Sequence, residues 1–179
     1  VSPAGDFAFG FGRDHAAQAR LAITAPAGAA ETRVLNIAKR QWPTESISGL
    51  PPAQVTPDAE TLTRIARERE KLGAIRALES GLTGFAEGFV RPAPGRISGV
   101  FGSQRILNGQ PRQPHYGLDF AAPTGTPVVS CAAGRVTLAD EFHFFGKLIV
   151  VDHGHGVNSL YAHLSEIAVR EGENITKGQ

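Results

Sequence analysis

The chain is poor in the features that define several common protein classes. Cys131 is its only cysteine, which excludes an internal disulfide and a cysteine-rich zinc cluster and leaves the redox compartment open. Methionine is absent. A surplus of either charge is also missing: 18 lysines and arginines face 17 aspartates and glutamates, for a net charge of +1. Nothing in that balance recruits phosphate backbones or anionic lipid, so nucleic acid is not expected as a partner. No apolar run approaches the roughly 20 residues needed to cross a bilayer, and no basic start followed by an apolar segment marks a signal peptide near Val1. The glycine-rich stretches lack the Lys-Ser/Thr of a phosphate loop.

What is present is a globular composition. The 179 residues, 41% hydrophobic and 20% charged, are enough for one sizeable domain and a smaller one. The chain does not begin with Met and stops at Lys177-Gly178-Gln179 in mid-pattern, so it reads as processed or incomplete.

Three segments separate by texture. Phe7-Ala8-Phe9-Gly10-Phe11, Ala19 to Thr24 and Arg33 to Ala38 read as short strands divided by turn formers such as Pro26-Ala27-Gly28. They predict a small β accessory module over 1–52, incomplete at its start, with Ile47 to Pro52 as linker because paired prolines cannot join a sheet interior. Residues 53–88 predict a connecting helix and linker. Thr56 serves as cap, Pro57 suits the first turn, and Leu62, Ile65, Leu72, Ile75 and Leu78 form an apolar stripe before Gly81 ends it. The charges from Arg64 to Lys71 fall mostly on the opposite face and read as solvated.

From 89 to 179 the texture becomes short β segments with Gly or Pro at nearly every junction. Strands are predicted at Arg96 to Phe101, Gly117 to Ala121, Pro127 to Cys131, Gly134 to Ala139, Lys147 to Asp152 and Ser159 to Leu164. There is no room for helical crossovers, so the expected fold is mainly β: a small antiparallel sheet or sandwich, preceded by the β module and one connecting helix.

The stretch QPHYGLDF places His115 and Asp119 four residues apart. Metal ligation needs ligand atoms about 2 Å from one point. A regular strand spreads four residues over about 13 Å, and Pro114, Gly117 and Pro123 disfavour a helix. A loop or bulge entering a strand, with Gly117 relaxing the backbone, permits both side chains to converge. The spacing equally accommodates an ordinary loop histidine and a turn-facing carboxylate. Alternation puts Leu118 and Phe120 on one face with Asp119 on the other, and it puts Ser159, Tyr161 and His163 opposite Leu160, Ala162 and Leu164.

Several ordered motifs carry a resemblance. Pro94 to Gly102, His115-Tyr116-Gly117-Leu118-Asp119, Ala122 to Val128, Gly134-Arg135-Val136, Tyr161-Ala162-His163-Leu164-Ser165 and Val169 to Gln179 together resemble the lysostaphin-type (LytM-like) zinc metallopeptidases over about residues 90 to 179. The resemblance implies that His115 and Asp119 are zinc ligands and that His163 is a catalytic histidine. It further implies a zinc endopeptidase acting on peptidoglycan peptides in the cell envelope, periplasmic or secreted, with cell-envelope proteins as further partners. In that family the third ligand and a second catalytic histidine come from a His-x-His pair just beyond a segment like 169–179. The domain therefore reads as incomplete at its C-terminal end, with no third ligand in view.

Other histidines are read more plainly. Val151-Asp152-His153-Gly154-His155-Gly156 reads as a hairpin turn rather than a substitute His pair, His143 as packing or loop wall among aromatics, and His15 as surface. Cys131 could be a nucleophile served by a histidine, but within Val128 to Ala133 it reads as a small buried thiol. Two other functions remain in view. One is a catalytically degenerate domain of the same fold that binds or activates cell-wall hydrolases. The other is a biotinyl- or lipoyl-type carrier using Lys147, which the absence of a Met-Lys context disfavours.

Overall fold

The structure is a computed structural model that describes residues 1–49 and 57–179. It is mainly β, with a single α-helix among the described residues. The described residues divide into two compact units. Unit 1 comprises Val1–Ala8, residues 57–98 and Asp119–Gln179; unit 2 comprises Phe9–Gly49 and Gly99–Leu118.

Unit 1 is organised by a four-stranded sheet with strand order β10-β9-β8-β11, antiparallel throughout. Its members are β8 (Gly134–Phe142), β9 (Gly146–Gly154), β10 (Val157–Leu164) and β11 (Asn174–Ile175). The run Leu148-Ile149-Val150-Val151 makes β9 a central strand: its branched side chains suit a pleated surface covered on both sides. Leu148 and Val150 join Leu138, Phe142 and Leu72 in one core, whereas Val151 joins Val136 and Ile175 in a second. Val136 and Leu138 are two residues apart yet serve opposite faces. A register shift in the β8–β9 ladder between them explains this, because an extra residue reverses the alternation.

The hairpin between β9 and β10 turns on His155 and Gly156, whose φ angles of 52° and 77° are both positive. This is the two-residue turn geometry whose twist matches the flanking strands. The predicted turn is thus present at His155-Gly156, but Asp152 and His153 belong to β9 and are buried.

The helix α1 (Ala59–Arg76) packs Leu72 and Ile75 on the first core. Its cap is Asp58, whose carboxylate accepts the Thr61 N–H at 2.8 Å. That bond holds the Asp58 carboxyl below the usual carboxylate range. Thr56, the expected cap, and half of the expected linker, residues 50–52, lie outside the described residues. The helix ends at Arg76, before Gly81, and Leu62 and Leu78 are exposed rather than part of a continuous buried stripe. The charged residues are also not simply solvated. Lys71 bonds Asp140 at 2.7 Å, Arg64 donates to the Glu141 carbonyl at 3.2 Å, and Glu68 accepts the His143 N–H at 2.8 Å. These polar ties dock the helix on β8.

Two predicted strands do not form. Phe7 to Phe11 is irregular. Residues 127–131 make a pair of backbone bonds with each of two segments: Val129 donates to Pro92 and Cys131 accepts from Val90, while Ser130 donates to Gln179 and accepts from Gly178. These bonds do not extend into a regular strand. β4 (Arg96–Gly99) and β7 (Asp119–Ala121) pair as a two-stranded ribbon.

In unit 2, β1 (Gln18–Thr24) and β2 (Ala30–Asn36) form an antiparallel hairpin, close to the predicted strands. A second sheet has the order β3-β5-β6, from β3 (Thr44–Ile47), β5 (Gln104–Leu107) and β6 (Gln110–Pro111). Its β3–β5 pair is parallel, which departs from the all-antiparallel expectation. Ile47, expected in a linker, ends β3. The parallel pair joins segments some 60 residues apart (44–47 and 104–107), so no local pattern announces it.

Candidate functional site

His115 lies in unit 2, fastened by its backbone: its N–H donates to the Ser103 carbonyl at 2.8 Å, and its own carbonyl accepts the Gly102 N–H at 2.7 Å. Aromatic contacts of Phe101 with Trp42, at 5.8 Å between centroids, and with Tyr116, at 6.1 Å, brace the same segments. The imidazole Nδ1 is 3.2 Å from the Val100 carbonyl oxygen. A carbonyl can only accept, so Nδ1 carries the proton and Nε2 bears the ring's lone pair. Gly117 sits beside that nitrogen: a Cβ there would meet Nε2 at 3.3 Å. The Nδ1 contact fits a histidine that ligates a metal through Nε2, since metal-binding imidazoles usually donate their other N–H to a carbonyl or carboxylate.

Asp119 is the first residue of β7 in unit 1 and is part-buried. The next residue, Phe120, lies under the Arg91 guanidinium at 4.8 Å from its ring centroid, and Arg91 also donates to the Ala93 carbonyl at 2.8 Å and to the Gly95 carbonyl. These contacts tie the segment 91–95 to the strand that starts with Asp119. Leu118, expected to face a core, is exposed. Among the described residues, no three His, Cys, Asp or Glu side chains are grouped so as to hold a metal.

His163 is exposed near the end of β10. The β9–β10 ladder slips between Tyr161 and Leu164, and His163 has φ of 58°, a left-handed conformation rare for a residue with a side chain. Its N–H donates to the Phe145 carbonyl at 2.7 Å. The expected alternation holds for Leu160 and Ala162, which pack on the first core, and the bulge then sets the direction of His163.

A polar cluster that sequence reasoning missed surrounds Cys131. His153, fully buried in β9, places Nε2 at 2.7 Å from Ser159 Oγ and 3.9 Å from Cys131 Sγ. Ser159 Oγ lies 2.8 Å from the Tyr161 hydroxyl, which accepts the Cys131 N–H at 2.8 Å. Cys131 is therefore not the inert thiol of an apolar run. Burial pushes its pKa up, but hydrogen bonds with His153, Tyr161 and Ser159 outweigh this and bring it down to about 7. The polar alternation of Ser159 and Tyr161 was a usable signal for half of the cluster. Nothing local joined it to residue 131 or 153.

The remaining candidates are placed without chemistry. His15 and His143 are exposed, each with its ring against a neighbouring phenylalanine, Phe11 and Phe144. Lys147 lies within β9 and donates to the Ser165 carbonyl at 2.8 Å, which is not the exposed hairpin tip a carrier lysine occupies.

Comparison with known proteins defines the class. Residues 113–179 match Peptidase family M23, and this segment is an M23 domain of the LytM type. Among curated relatives, the chain is similar to the peptidoglycan DD-endopeptidase ShyA of Vibrio cholerae, 38% identical over 85 residues, covering 47% of this chain and 20% of that protein. It is similar to the DD-carboxypeptidase/endopeptidase Mpg of Neisseria meningitidis, 38% identical over 84 residues, with coverage of 47% and 19%. It also resembles a lipoprotein NlpD/LppB homolog of Pseudomonas aeruginosa, 32% identical over 93 residues, with coverage of 51% and 29%. A crystal structure of a Pseudomonas aeruginosa protein assigned to peptidase M23 superposes with a TM-score of 0.70 at 26% identity, covering 95% of this chain and 62% of that one. The chain thus spans about a fifth of the length of the first two curated relatives.

Proposed function

We propose that this chain contributes the peptidase domain of a zinc metalloendopeptidase that cleaves peptide bonds in bacterial peptidoglycan, acting in the cell envelope as a periplasmic or secreted protein. The observation that supports the reading is the place of His115 inside the M23 segment, with Nδ1 donating to the Val100 carbonyl as the non-ligating nitrogen of a metal-binding imidazole usually does. His115 and Asp119 are the proposed metal ligands, one imidazole and one carboxylate, a donor set suited to zinc. When bound, zinc supplies Lewis acidity toward a peptide carbonyl and toward water. His163, exposed and with a left-handed backbone, is the proposed catalytic histidine, one that would orient or accept a proton from water or stabilise the tetrahedral intermediate. The accessory module over 1–52, the connector over 53–88 and the peptidase domain over 89–179 are the proposed division of labour, with cell-envelope proteins as proposed partners.

The test uses the full-length protein that contains this chain. Stoichiometric zinc is expected, together with hydrolysis of cell-wall peptide that is lost on chelation and in His115→Ala and His163→Ala variants. Cleavage that proceeds equally with and without chelator would sink the proposal. The likeness to the NlpD/LppB lipoprotein homolog, which is not named as an endopeptidase, favours a second reading. A catalytically degenerate domain that binds or activates cell-wall hydrolases would bind peptidoglycan or an envelope hydrolase with no stoichiometric zinc.

A further inference from the structure

The cluster at Cys131 plays no part in the proposed hydrolysis. Cys131 leads into β8, while its partners come from β9 and β10, so three segments of unit 1 converge on the sulfur. The tautomer of His153 is set by geometry. Its Nδ1 lies 2.8 Å from the Ala133 carbonyl oxygen and must donate to it, so Nε2 is the basic nitrogen facing Ser159 and Sγ. Other groups bearing on the pair are the Tyr161 hydroxyl and the carboxylate of Asp152, which accepts the Gly154 N–H at 2.9 Å and favours a charged imidazole. The Phe89 ring stands edge-on to His153 at 6.1 Å. Cys131 itself is only part-buried, although Ser130 and Ala132 on either side are buried.

We propose that Cys131 is a modification site: a nucleophilic thiol, activated by His153, that reacts with small hydroperoxides to form a sulfenic acid. His153 Nε2 takes the thiol proton, and the thiolate attacks one peroxide oxygen. The S–O bond forms as the O–O bond breaks, and the imidazolium returns its proton to the departing oxygen, which leaves as water or an alcohol. Sulfur loses two electrons and the peroxide gains them. These 179 residues hold no second cysteine, so within them the sulfenic acid persists until a thiol reduces it or further oxidant takes it to the sulfinic acid.

The experiment measures alkylation of Cys131 by iodoacetamide against pH in the folded full-length protein, followed at residue 131 by peptide mass analysis. An inflection near pH 7 is expected, about 1.5 units below the free-thiol value. It should move up by about one unit in Ser159→Ala and further in His153→Gln; should the buried His153 variant fail to fold, the wild-type profile decides. Treatment with hydrogen peroxide and then dimedone should label Cys131. An inflection at or above that of free cysteine, or an unlabelled Cys131 after peroxide, overturns the proposal. The result does not depend on zinc or on hydrolysis, so it stands or falls apart from the function proposed above.

Discussion

The backbone N–H of His163 donates to the carbonyl of Phe145 at 2.7 Å, across the point where the β9–β10 ladder loses its register. The bond fastens an exposed histidine in a left-handed conformation, φ 58°, that a side chain ordinarily disfavours. Such strain persists only where the surroundings over-determine it, and it is common at functional positions.

The first prediction follows from that strain. Glycine relieves a left-handed position by about 1 kcal/mol relative to a residue with a Cβ, so His163→Gly should unfold at higher urea than His163→Ala. Both should lose the proposed hydrolysis. Equal stability of the two variants would show that position 163 is unstrained.

A second contrast lies within one hairpin. Gly154 has φ of 98°, and a Cβ there would run into the Leu82 backbone carbonyl; Gly156 has φ of 77°, with open space around it. Gly154→Ala should therefore cost about 3 kcal/mol or more, combining backbone strain and overpacking, against about 1 kcal/mol for Gly156→Ala. Urea denaturation of the two variants measures the difference. Similar costs would mean that the Leu82 contact does not constrain the turn.

The third concerns the tie between helix and sheet. The hydrogen bond from Lys71, then that from the Glu141 N–H, hold the Asp140 carboxyl below the usual carboxylate range. A carboxyl lowered in the folded state contributes stability that is full above its unfolded pKa, about 4, and is lost as pH falls through the lowered folded value. The two side chains are 48% and 46% exposed, so solvent and salt screen the pair to about 0.5 kcal/mol. Asp140→Asn should cost that much at pH 7 in low salt and progressively less below pH ~4. A cost that grows on acidification would contradict the assignment.

How much was legible in the sequence varied with the range of the interaction. The β8–β10 strands were visible because alternation and glycine-marked ends are local signals, and the sheet forms within a few residues of their predicted limits. Residues 127–131 read as a strand on composition, but their few bonds to 90–92 and 178–179 do not extend into a regular strand. Residue type makes Thr56 a suitable cap, whereas Asp58 makes the bond that starts the described helix. The glycines around His153 suggest a turn, whereas in the sheet it is central and fully buried.

By itself the sequence determined the mainly β class and the connecting helix, because these rest on periodicity and punctuation along the chain, and it carried the ordered motifs whose resemblance points to the M23 family. Only the tertiary structure decided which nitrogen of His115 bears the lone pair, how the bulge directs His163, and that Cys131 meets His153, Ser159 and Tyr161. The physical reason is reach. A hydrogen bond or a thiol–imidazole contact depends on positions good to a fraction of an ångström between segments 15 to 30 residues apart, and no local pattern along the chain encodes that.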